Sequence, residues 1–227
     1  APAGSLLLLA TAEPQRYGFV YRTRKEFIPR RGLEVDEPWS FERLAPNALC
    51  LDFCQYRVGN GQWSEPMFVL FALGELYQLG KTQGEFPFGI RQVFQVEQLP
   101  SRVALAMESP SAYSVFLNGR RVFTNDDGYW LDPSLRKKDV TYLVQEGENV
   151  LEYYGVYRDP EGLNELYFNW HSGYIPEPLD PSRPSRVPST EIDAVFVIGD
   201  FALKQREGRF VIVKEPQGLQ PMDITKQ

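Results

Sequence analysis

Along most of the chain, apolar positions recur every second residue in short runs broken by Gly, Pro, Asn and Asp, the pattern of half-buried strands joined by tight turns. Leu6–Thr11 and Tyr17–Thr23 read as strands on either side of Glu13-Pro14, followed by a polar stretch holding Pro29, Arg30, Arg31 and Pro38. Asn47–Val58 and Met67–Leu73 read as the next strands, and Phe86–Glu97 as extended. Gly74–Gly84 is open between a loop and a short helical turn around Leu76 and Leu79. Val103, Leu105 and Met107 alternate with Ala104, Ala106 and Glu108. Tyr113–Leu117 and Arg120–Phe123 flank Asn118-Gly119, a dipeptide that tolerates positive φ at both central positions and so predicts a two-residue hairpin. Asp139–Val144 and Asn149–Arg158 form a further expected pair across Gln145–Glu148, and Glu165–Trp170 reads as a short aromatic strand.

The pattern changes at Ile175–Ser189, where Pro176, Pro178, Pro181, Pro184 and Pro188 exclude a central strand and predict an extended surface connector. Beyond it, Ala194–Ile198 is unbroken apolar, as in a strand buried on both faces. Gly208–Lys214 is expected to pair with it across Lys204–Glu207. Many short strands, with no internal repeat and no long amphipathic helical pattern, predict an all-β fold of the β-sandwich type. The expected organisation is N-terminal strands over 1–34, a sandwich over 35–172, the connector over 173–190, and a hairpin and tail over 191–227. The outer strands either complete the sandwich or belong to a neighbouring one.

Composition adds exclusions. With 227 residues, 43% hydrophobic and 24% charged, the chain is long enough to bury a core and too ordinary for disorder, a collagen repeat or a coiled coil. A net charge of -6 leaves no electrostatic footprint for a phosphate backbone, so nucleic acid is not an expected partner. The longest early apolar run, Leu6–Ala10, is far short of a membrane span or a signal peptide. Beginning on Ala1 rather than Met, the chain reads as a piece of something larger. Cys50 and Cys54, placed on one strand, would share a face roughly 13 Å apart at ~3.3 Å per residue, so two buried free thiols are expected and no bridge.

Candidate chemistry is sparse. The only histidine is His171, and no Gly-x-Ser-x-Gly elbow or phosphate-binding glycine loop exists, so nucleophilic and nucleotide chemistry lack their parts. Carboxylates are plentiful, with Asp126, Asp127, Asp132 and Glu165 the nearest to a glycosidase pair. Asn125-Asp126-Asp127-Gly128 reads first as a turn; the alternative is a loop in which Asp126 and Asp127 ligate a structural calcium ion. Directly after it stand Tyr129 and Trp130, and Trp39, Trp63 and Trp170 also lie beside polar neighbours. A flat ring beside amides and carboxylates suits the apolar faces and hydroxyls of a sugar; the same rings also serve as core or rim residues of a sandwich.

Four segments in order carry a resemblance: Val115-Phe116-Leu117-Asn118-Gly119-Arg120-Arg121-Val122, Gly128-Tyr129-Trp130-Leu131-Asp132, Asp139-Val140-Thr141-Tyr142-Leu143-Val144, and Glu146-Gly147-Glu148-Asn149-Val150-Leu151. Together they resemble the sugar-binding, galactose-binding-like jelly-roll domain of family-two glycoside hydrolases and related large bacterial glycosidase-like proteins. Asp127 stands where that family often carries a second Gly. The resemblance implies a non-catalytic accessory sandwich, secreted or periplasmic, that binds plant or bacterial polysaccharide or supports the parent's catalytic domain, with those carboxylates in a separate barrel. On this reading Asn125, Tyr129, Trp130 and Asp132 would contact sugar, and no cofactor beyond the calcium option is implied. A purely structural inter-domain module and an independent glycosidase are the alternatives.

Overall fold

Strands with one buried and one solvated face need a second layer to cover the buried side, and this chain supplies it with a second sheet. The computed structural model describes residues 45–160, 162 and 190–215, all within the unit Trp39–Gln227. In chain order the strands are β1 (Asn47–Leu51), β2 (Phe53–Val58), β3 (Met67–Phe68), β4 (Phe86–Val96), β5 (Val103–Glu108), β6 (Ser114–Leu117) and β7 (Arg120–Val122). They continue with β8 (Tyr129–Trp130), β9 (Asp132–Asp139), β10 (Gly147–Tyr157), β11 (Val195–Gly199), β12 (Phe201–Arg206) and β13 (Arg209–Lys214). Among the described residues one α-helix, α1 (Val69–Gln83), interrupts them. The described part is thus mostly strand, as the alternation predicts.

The shorter sheet runs β1-β11-β5-β9-β8 and the longer one β12-β13-β4-β10-β6-β7, with β2 also pairing the start of β4. All pairings are antiparallel except β13 with β4. Leu49, Leu105 and Val197 from the first sheet share one buried cluster with Ile90, Leu117, Leu151 and Tyr153 from the second. Strands of 195–214 belong to both sheets, β11 between β1 and β5, β13 between β12 and β4, and β12 at an edge. The expected N-terminal strands, Glu165–Trp170 and the proline-rich connector lie outside the described residues.

Five expectations are corrected. Asn47–Val58 is two strands, because the chain leaves one sheet at Leu51 and enters the other at Phe53. Gln92, 1% exposed, anchors that crossing by donating Nε2 to the Leu51 carbonyl at 2.5 Å. The break also puts the cysteines in different surroundings: Cys50 is exposed and Cys54 buried, both free. Met67–Leu73 is strand only to Phe68. From Val69 a helix takes over and buries Val69, Ala72, Leu73, Leu76 and Tyr77, the i, i+3, i+4, i+7, i+8 stripe of one face. Phe68 offers no side-chain cap; the Val69 amide donates instead to the Asp52 carbonyl at 2.8 Å. Gly80 lets the helix lie on Tyr157, since a Cβ there would stand 2.3 Å from that ring.

Asp139–Val144 is not a strand. β9 ends at Asp139, and Val140–Val144 forms a turn closed by the Leu143 and Val144 amides donating to the Val140 carbonyl. Finally, β13 forms its hairpin with β12, not with Val195–Gly199, which crosses to the other sheet. Among the described residues no helix is long and apolar enough to cross a membrane.

Candidate functional site

The motif residues come together mainly as sutures. Asn118 (φ 50°) and Gly119 (φ 75°) make the predicted hairpin turn. The Asn118 side chain then reaches across, its Oδ1 accepting from the Val150 amide and its Nδ2 donating to the Leu143 carbonyl and Asn149 Oδ1, each at 2.9 Å. Asn149, fully buried, donates to the carbonyls of Gln145 (2.7 Å) and Gly147 (3.2 Å) and accepts from the Gln145 amide. Thr141 Oγ1 brackets Val103, accepting from its amide and donating to its carbonyl, while Asp139 Oδ1 accepts from the Thr141 amide. The 118–119 hairpin, the Asp139–Thr141 turn and the Gly147–Asn149 segment are therefore one stitched end of the molecule.

The 125–132 loop is satisfied in the same inward way. Arg136 forks onto Asp126, Nη2 to Oδ1 at 2.6 Å and Nε to Oδ2 at 3.0 Å. Asp126 Oδ1 also accepts from the Gly128 amide, an Asx turn at Gly128 (φ 93°). Lys138 Nζ donates to Asp127 (2.9 Å) and Asn125 (3.0 Å), and Asp127 Oδ2 accepts from the Asp139 amide. Asp132 caps the next turn, accepting from the Ser134 amide at 2.8 Å. These bonds hold the carboxyls below their ordinary range: for Asp126 chiefly the Arg136 guanidinium, for Asp127 the Asp139 amide and then Lys138, for Asp132 the Ser134 amide. Among the described residues no group of three or more His, Cys, Asp or Glu is gathered to hold a metal ion. Trp130 is half-buried against Phe196, ring centroids 5.3 Å apart, while Tyr129 stays 53% exposed. The loop keeps one free plate and has its acceptors engaged.

A different face concentrates unspent chemistry. On the outward side of the longer sheet, register aligns Gln55, Arg91, Glu152, Phe116 and Arg121 across β2, β4, β10, β6 and β7. The next row holds Arg57, Gly89, Tyr154 and Ser114. Gly59 (φ 53°) turns the chain back after β2, and the return is pinned by the Ser64 amide to the Tyr56 carbonyl (2.8 Å), by the Tyr56 amide to Ser64 Oγ (3.0 Å) and by Gln55 Nε2 to the Ser64 carbonyl (2.7 Å). That return lays Trp63 over the sheet, where Gly89 leaves the room: a Cβ there would meet Tyr154 at 2.7 Å and Trp63 at 3.4 Å.

Two guanidiniums stack on the Trp63 indole, Arg91 at 4.2 Å and Arg57 at 4.5 Å from its centroid; Arg57 is also 5.2 Å from the Tyr154 ring. Arg91 donates both Nε and Nη2 to Glu152 Oε1, and the Tyr154 hydroxyl donates to Glu152 Oε2 at 3.0 Å. Partial burial, then the Glu152 bond, raise the Tyr154 hydroxyl above its ordinary value. Phe116 meets Tyr154 edge-on at 6.0 Å. A cavity of about 620 Å³ borders the Arg91 end, lined also by Phe53, Gln55, Val93 and Phe210. Another of about 580 Å³ borders the Tyr154 end, lined also by Tyr113, Ser114, Arg121 and Arg158. Both volumes are in the range of small-ligand sites.

Of the residues singled out from sequence, only Trp63 belongs to this face; Trp39, Trp170, Glu165 and His171 lie outside the described residues. Arg57, Arg91, Glu152 and Tyr154 were missed. Their signal is the polar phase of strands whose apolar phase forms the core.

No protein-family model and no curated protein matches the chain. Among solved structures it is similar to the β-D-mannosidase from Dictyoglomus thermophilum, with a TM-score of 0.40 and 18% identity over 71% of this chain. The chain spans 24% of that enzyme's length.

Proposed function

We propose that this chain is a non-catalytic, galactose-binding-like jelly-roll region of a larger carbohydrate-active enzyme, and that it holds a glycan on the outward face of its longer sheet. The observation that carries this reading is the Trp63 indole, laid on a polar floor of Arg57, Arg91, Glu152 and Tyr154. A sugar ring offers C–H groups to such a plate and hydroxyls to the charged groups around it. Flanking cavities give an oligosaccharide room to extend past both ends of the row. The 125–132 loop, its acceptors already bonded, contributes at most Tyr129 as a rim contact.

Catalysis is not part of the proposal. A glycosidase needs two carboxyls about 5 to 9 Å apart across the sugar. Glu152, the one acid of the row, is committed to Arg91 and Tyr154. Binding of an oligosaccharide panel, followed by calorimetry with wild type and Trp63→Ala, tests the reading. Binding that Trp63→Ala abolishes, with thermal unfolding preserved, supports it; binding untouched by the substitution, or aryl-glycoside turnover by the chain alone, overturns it.

A second reading, a module that packs against a catalytic domain, is favoured by one patch. Phe53 and Phe71, 62% and 69% exposed, flank Phe68 at 6.1 and 6.0 Å in an edge-to-face ladder. Such an apolar ladder suits burial against a neighbour.

A further inference from the structure

The charges on the outward face do not balance, and the imbalance points to the kind of sugar. Arg57, Arg91 and Arg121 stand in the two register rows against a single carboxylate, Glu152, in a chain whose net charge is -6. Glu152 is fully used, with both Arg91 bonds on Oε1 and the Tyr154 hydroxyl on Oε2. Arg57 is left over. Its guanidinium lies against two aromatic rings, its Nε is shielded from solvent, and that atom has no hydrogen-bond partner among the described residues.

A guanidinium stripped of water on one side and given no acceptor is costly to hold. Its planar fork matches a carboxylate, and rings on which it stacks fix its orientation before a ligand arrives. A cation so prepared gains most from an anionic group and least from a hydroxyl. The neighbouring cavity beside Tyr154 adds Arg121, Ser111 and Ser114, while Arg158 in its lining pairs with Glu85 at 3.8 Å and Glu191 is the acid of that lining.

We propose that this face selects acidic over neutral glycans, a hexuronate carboxylate serving as the counter-ion that Arg57 lacks. The inference rests on the glycan-binding reading above and adds the charge class to it.

The test is calorimetry of the whole chain with tetramers of galacturonate, mannuronate and a glucuronate-containing glycan, each beside its carboxyl-reduced, neutral counterpart. At least one acidic tetramer should bind, with its reduced form at least tenfold weaker. Arg57→Met, which keeps an apolar stem over the rings, should erase that preference. Arg57→Lys, a point charge without the fork, should retain part of it. Thermal unfolding of both variants checks that the face survives, and Arg57→Lys carries the test if Arg57→Met fails to fold. Equal or tighter binding of a neutral form overturns the charge selection while leaving glycan binding in place. An acidic preference that persists in Arg57→Met places the anion elsewhere and overturns the assignment to Arg57. No binding in either series overturns both.

Discussion

Replacing Asn149 by Ala removes the knot that ties the Asn118-Gly119 hairpin to the turn before β10. The side chain is fully buried and makes four bonds: two donated to the Gln145 and Gly147 carbonyls, two accepted from the Gln145 amide and Asn118 Nδ2. At roughly 1 kcal/mol net for each, the loss approaches 4 kcal/mol. Gln145 and Gly147 are themselves exposed, so their backbone groups regain water and the cost falls toward the middle of a range of about 2 to 4 kcal/mol. That is a large share of the ~5–15 kcal/mol by which a domain is stable. Urea unfolding followed by tryptophan fluorescence reads it as a fall in midpoint at unchanged slope. Asn118→Gly keeps the positive φ of the turn while losing its three side-chain bonds, and the double variant should be less destabilised than the sum by about 1 kcal/mol, because the two residues share one bond. A loss under 1 kcal/mol for Asn149→Ala, or strict additivity with Asn118→Gly, would refute the stitched-end account.

Three further outcomes are expected. Asp126 and Asp127 are held below the ordinary value of 3.8, so their contribution to loop docking is complete above it and disappears as pH falls through the lower folded values; amide shifts of Gly128 and Asp139 should move with midpoints below 3.8, and a midpoint at or above it contradicts the bonding described. A thiol reagent at pH 8 should react slowly with Cys50, whose partial burial and the nearby Asp52 and Asp193 raise its pKa, and reach Cys54, pushed up to about 12 by burial, only in denaturant, giving two thiols and no bridge. Trp130→Ala should cost roughly 2 kcal/mol, about half the loss for a fully buried Trp, through its contact with Phe196, and leave affinity at the Trp63 face unchanged; a lost affinity would return the 125–132 loop to the binding site.

What could be read from residues alone was local. Asn118-Gly119 declares its turn because few dipeptides accept two positive φ values, whereas Asp139, read as the start of a strand, caps a turn through the Thr141 amide. The helix was hidden by its own start: Met67–Leu73 is one apolar run, Gly74 and Gly80 argue against helix, and no side chain caps Phe68. Its evidence is tertiary, in the Asp52 carbonyl and the Tyr157 ring. β9 does not read as a strand because Asp132-Pro133 and three basic residues mimic a loop; Arg136 and Lys138 pair with Asp126 and Asp127. The Trp63 face needs three strands in register before Arg57, Arg91, Glu152 and Tyr154 become neighbours, and each segment alone shows only its own polar alternation, not its partners.

The insertion of β11 between β1 and β5 sets an order of events during synthesis. Asn47 Nδ2 donates to the Phe201 carbonyl, a partner 154 residues later. While a ribosome is still making that stretch, β1 and β5 must wait with open backbone edges, each a template for pairing with another nascent chain. Small residues on those edges, Ala48, Ala104 and Ala106, offer little to hinder such pairing. Recombinant yield should therefore depend on chaperone supply and temperature more than the equilibrium stability of the finished fold implies. Expression that stops before residue 195 should yield aggregate, however much of the longer sheet has already been made.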